Sequence, residues 1–144
     1  MKFYISILSL FIFISCSENA PQNDEQAAKN EQIKAKNRRT AAVNEASQIT
    51  QTAQKLEKEG RGMDIYRKSA KPESQRECRA IMETEQKQIS DLDERIKKLP
   101  EPFNAQLTAI TADLNACVSC AKNAVESCIK SRAAINGAIK QLFP

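Results

Sequence analysis

The chain reads as all-α, a disulfide-stapled helical hairpin or three-to-four-helix bundle, and three observations carry that reading. Only three Gly and 5% aromatic residues occur among 144, too few of either for an all-β fold rich in turns. Apolar residues recur at spacings of three, four and seven along most of the length, which is the period of a helix stripe and not of a strand. Five Cys are present, and setting Cys16 aside leaves an even set of four, suited to cross-linking a core that is short of large side chains. A chain of this length holds one small domain.

The absence of His narrows the function more than any residue that is present. No Ser-His-Asp or Cys-His pair can form, no His-ligated metal site is available, and no side chain has an ordinary pKa near neutrality. A non-catalytic protein without cofactor or metal is the expectation.

Residues 1–15 have the proportions of a signal peptide: Met1 and Lys2, then an apolar run from Phe3 to Ile14 broken only by Ser6 and Ser9, then Ser15. The run is too short for a stable membrane span, which needs about 20 residues. Phe13-Ile14-Ser15-Cys16 resembles the lipobox of bacterial lipoproteins, in which a cysteine receives a diacylglycerol before cleavage. The resemblance implies lipidation at Cys16 and a mature chain that starts there. Ser17 in place of Asp implies, by the same resemblance, an outer-membrane destination in a Gram-negative envelope, facing the periplasm or the outside. With two or three acyl chains, each methylene contributing about 0.8 kcal/mol, membrane attachment would be effectively permanent.

Residues 16–26 are polar with one Pro and read as a flexible tether. The helical domain is expected over 27–144. From 27 to Glu59 the segment is rich in Ala, Gln, Lys and Glu, and Ala42, Ala46, Ile49, Ala53 and Leu56 form a thin stripe. Gly60 and Gly62 are expected to stop that helix. Residues 60–72 then form the longest irregular candidate, carrying Met63, Ile65 and Tyr66 among basic residues. Those three are the candidate partner-binding residues; the bland alternative is that Met63 and Tyr66 fold back onto the end of the bundle.

Ser74 and Glu77 match a capping box, so a second helix is expected to begin at Ser74. Its inward positions are Cys78, Met82, Ile89, Leu92, Ile96 and Leu99, with Glu85 the one polar intruder. Pro100 and Pro102 end it and reverse the chain. The third segment has two heptad series: Leu107, Leu114, Ala121, Cys128, Ile135 and Leu142, interleaved with Phe103, Ile110, Cys117, Ala124, Ser131 and Ala138. One continuous helix over 103–142, about 60 Å long, follows if Asn115, Asn123 and Gly137 do not break it.

An antiparallel turn at Pro100 brings Cys78 level with position 124, within reach of either Cys120 or Cys128. Continuity would place Cys117 and Cys128 about 16 Å apart, so full oxidation of an unbroken helix pairs Cys78 with Cys128 and Cys117 with Cys120. The latter bond is strained inside a helix; either it is labile or the helix breaks nearby. A labile Cys117-Val118-Ser119-Cys120 would support thiol-disulfide exchange, although it lies on the core stripe, away from a helix N-terminus. A zinc-like C-x-x-C spacing is present, but no second such pair accompanies it.

The positive cluster Lys34, Lys36, Arg38 and Arg39 lacks interleaved aromatics, which speaks against nucleic acid and for a solvated face or contact with anionic head groups. Glu83, Glu85, Asp91, Asp93 and Glu94 spread around the second helix as solvent-facing or interhelical charges. Three functional classes follow. The first is a lipid-anchored interaction protein of inhibitor, immunity or exclusion type, with a protein partner in the envelope. The others are a structural tether or assembly factor, and a thiol-disulfide exchanger using Cys117 and Cys120.

Overall fold

The computed structural model describes residues 21–143, so the expected signal peptide and Cys16 lie outside the described residues. Its elements are α1 (Pro21–Gly62), α2 (Asp64–Lys68), α3 (Pro72–Lys97), α4 (Phe103–Cys117) and α5 (Ala124–Leu142). Two compact units divide between Ala35 and Lys36. In the first unit the described residues are helical from Pro21 onward, including 21–26, the part of the expected tether that the structure describes. Pro at a helix start costs no hydrogen bond, and Gln, Glu and Ala that follow are good helix formers. Side chains from Glu25 to Ala35 are all exposed, Ile33 to 57%.

The second unit, from Lys36, is an all-α bundle stapled by disulfides, with the remainder of α1 and α3, α4 and α5 alternating in direction. Arg95 near the end of α3 donates to Glu45 of α1 at 2.7 Å, while Glu85 earlier in α3 meets Glu59 near the end of α1, so those helices are antiparallel. Thr111 of α4 donates to Asp93 of α3 at 3.3 Å, while Arg132 of α5 pairs with Glu57 of α1 at 3.3 Å. The Ala-rich stripe of α1 is buried as the spacing requires, Ala46, Ile49, Ala53 and Leu56 to 0% exposure. Ile89, Leu92 and Ile96 of α3 meet it, together with Leu107, Ile110 and Leu114 of α4. Small Ala side chains let α1 approach its neighbours closely, at the expense of apolar area.

Three boundaries differ from the sequence expectation. Gly60 lies inside α1, and the helix ends only at Gly62, its last residue. Helix α3 starts at Pro72 with Lys71 as N-cap, and no side chain caps it, so the Ser74 to Glu77 box is not used; Pro at the first helical position supplies the start instead. The expected helix over 103–142 is two helices, α4 and α5, joined by a corner at 118–123. Both heptad series nonetheless stay buried or half-buried except at Ala121, which lies in the corner. A seven-residue stripe on two antiparallel helices that share one core has the same sequence signature as one long helix.

Candidate functional site

The corner at 118–123 is where the chemistry-bearing residues gather. Reversal of the chain after Cys117 returns α5 alongside α4, so Cys117 in the last turn of α4 meets Cys128 near the start of α5, Cα to Cα 4.5 Å. Cys120, in the corner itself, bonds to Cys78 of α3 across 6.0 Å. The pairing is therefore Cys78 with Cys120 and Cys117 with Cys128, not Cys78 with Cys128 and Cys117 with Cys120. Continuity of 103–142 was the premise that forced the other pairing, and the break removes it. Closing loops of sequence separation 42 and 11 restricts the unfolded chain by about 4 and about 3 kcal/mol respectively. The two cysteines of the C-x-x-C motif consequently sit in different bonds.

Gly60 is buried because the corner comes against α1: a Cβ built there would lie 2.5 Å from Cys117 Sγ and 3.1 Å from the Cys117 carbonyl oxygen. Close approach, not chain termination, is what this glycine provides. The end of α4 leaves carbonyls without helical partners, and Arg67 of α2 supplies the donors. Its Nε donates to the Ser119 carbonyl at 2.8 Å and its Nη2 to the Cys117 carbonyl at 2.5 Å, with the residue only 3% exposed. Burial lowers the Arg67 pKa from the ordinary arginine value, nearby Asp64 partly opposing it, yet a guanidinium keeps its charge. A cation at a helix C-terminus is favourable, but Arg67 precedes its carbonyl partners by some fifty residues, so no local pattern announced it.

The three predicted contact residues are distributed differently from one another. Residues 60–72 are mostly helical, not a loop: α1 runs on to Gly62, α2 follows, and only 69–71 are extended, closed by Gln75 donating to the Ser69 carbonyl at 2.8 Å. Met63 is 1% exposed and packs into the core, so it is withdrawn from any partner. Tyr66 is half-buried against the same core. Ile65 points outward and is 70% exposed. Helical geometry explains the split, since 63, 66 and 67 share the inner side of one turn and 65 falls on the outer side.

Glu85 is buried on α3, as the one polar intruder of the inward stripe, and so departs from its reading within the acidic cluster, being neither solvent-facing nor matched with a cation in a salt bridge. Burial, then a hydrogen bond to Glu59 of α1 and the charge of Glu59, push its carboxyl up to about 7, with Lys55 opposing. The two carboxyls come from different helices, so only assembly brings them together. By contrast Asp93 is held below its ordinary range by hydrogen bonding to exposed Lys97, an i,i+4 pair at 2.8 Å. Lys34, Lys36, Arg38 and Arg39 are all exposed. Among the described residues no helix is long and apolar enough to cross a membrane.

The corner thus unites two disulfides, a buried guanidinium and an outward-facing isoleucine. What it can do is hold one patch of surface rigid. Comparison with protein-family models, with curated proteins and with solved structures yields no match.

Proposed function

We propose that this is a lipid-anchored envelope protein that acts by binding another protein, without catalysis of its own. The observation that carries the reading is Ile65, 70% exposed on a short helix that Arg67 ties to the disulfide corner. Exposing a single isoleucine is ordinary for a surface; fixing it on a cross-linked platform lowers the entropy lost when a partner covers it. Two disulfides in a small bundle suit an oxidising compartment, and the lipobox resemblance at Cys16 supplies the attachment.

The test places a photo-reactive amino acid at position 65 of the full chain in its native cells, with exposed Gln86 of α3 as the control position. A discrete adduct from position 65 that is absent from position 86 is expected. Equal labelling at both positions, or none at 65, would remove the corner as the contact surface. Separately, palmitate labelling that disappears in Cys16→Ala is expected; labelling that persists would place the lipid elsewhere.

A further inference from the structure

Away from the disulfide corner, the other end of the bundle carries a groove of about 780 Å³ between α1, the α3–α4 turn and the end of α5. That is within the size range of small-molecule sites. Its apolar part is formed by Ala42, Leu99, Phe103 and Leu142. Arg38, Arg39 and Lys98 line it too, all three exposed, and among the described residues none of them makes a salt bridge. Two carboxylates belong to the same lining, and with Glu45 matched by Arg95 the three cations face one remaining carboxylate, Glu101. Glu45 is engaged by Arg95 at 2.7 Å, and Glu101 accepts from the Ala105 amide at 3.3 Å.

Gln106 also lines the groove, half-buried, with its Oε1 turned away from solvent. Cations above an apolar floor are complementary to one class of ligand: an anion with a hydrocarbon tail. An uncharged apolar ligand would make no use of the cations, and a small inorganic anion would leave the floor in water.

We propose that this groove binds a single-chain alkyl carboxylate, its tail on Leu99, Phe103 and Leu142 and its head group between Arg38, Arg39 and Lys98. The site is separate from the Ile65 corner, so the two readings stand or fall independently. Arginine suits the head group because its fork matches a carboxylate in two parallel hydrogen bonds.

The test uses the full chain kept soluble in a non-ionic amphipol, with 11-(dansylamino)undecanoic acid as fluorescent probe and its methyl ester as the uncharged match. Saturable binding of the acid is expected, displaced by oleate, with the ester at least tenfold weaker. Arg38→Glu combined with Arg39→Glu should weaken the acid at least tenfold and leave helicity unchanged, since both side chains are exposed. Lys87→Glu, an exposed reversal on α3 outside the groove, should leave binding as it was. Equal affinity for acid and ester, the same loss in Lys87→Glu, no loss in the double variant, or no saturable binding would each overturn the proposal. Displacement by an acidic amphipathic peptide but not by oleate would overturn it in favour of a protein occupant.

Discussion

Trypsin without reductant distinguishes the observed disulfide pairing from the one that an unbroken helix would impose. Cleavage after Arg76, Arg79, Lys98, Lys122 and Lys130 isolates Cys78 in peptide 77–79, Cys117 and Cys120 together in 99–122, and Cys128 in 123–130. With Cys78 bonded to Cys120 and Cys117 to Cys128, all three peptides travel as one species. The alternative pairing would link 77–79 to 123–130 and release 99–122 with an internal bond. Energetics supply a second readout. Replacing Cys78 and Cys120 by Ala opens the loop of separation 42 and should cost about 4 kcal/mol, whereas replacing Cys117 and Cys128 opens that of 11 and should cost about 3. Buried Ser hydroxyls would deepen the second loss more than the first, because Cys117 and Cys128 are both at 0% exposure and Cys120 is only half-buried, so the loop terms are compared with Ala in place of Ser. Thermal unfolding of the two double variants should therefore differ by about 1 kcal/mol, or about 4 °C. A released 99–122 peptide would refute the corner geometry, and a larger loss from the short loop would refute the loop-closure reasoning.

Gly60→Ala should destabilise by about 2 kcal/mol despite the better helix propensity of Ala, because the new methyl meets the Cys117 backbone and sulfur; denaturant titration checks this. Gly62→Ala and Gly137→Ala, where nothing lies within 4 Å, should instead each stabilise by about 0.5 to 1 kcal/mol in the same titration. Arg67→Met keeps the apolar stem and removes the donors to the Cys117 and Ser119 carbonyls, so a loss of about 2 kcal/mol is expected, with faster amide exchange at 118–123. Glu85 has a folded pKa raised to about 7 from 4.5, so the folded state holds a proton that the unfolded state has released, and stability falls as pH rises through that window. Glu85→Gln should flatten the fall and gain on the order of 1 kcal/mol at pH 8, the full linkage value being reduced by nearby solvent; an unchanged pH profile in chemical denaturation would clear Glu85 of the effect.

The helical class, the α1 stripe, the inward positions of α3 and the Pro turn were all legible in the sequence. Each is a statement about neighbours within one or two turns, and helix period and proline chemistry are local. Even the buried register of 103–142 was legible through its heptads, since Leu107, Leu114, Cys128 and Ile135 are all buried. The direction of the chain after Cys117 was not. A stripe records which side of a helix faces the core, not whether the next helix continues or returns.

From that one undetermined reversal the rest followed: which cysteines pair, why Gly60 must lack a side chain, and why Arg67 is buried when its neighbours promised a loop. Each of these depends on groups far apart along the chain, such as Arg67 and Ser119 or Glu59 and Glu85, whose interaction exists only after packing. Composition and period determined by themselves that the chain forms helices and which faces are apolar. Tertiary structure alone decided the charges, bonds and close approaches at the corner, because Coulomb, covalent and steric forces act across space and leave no period in the sequence.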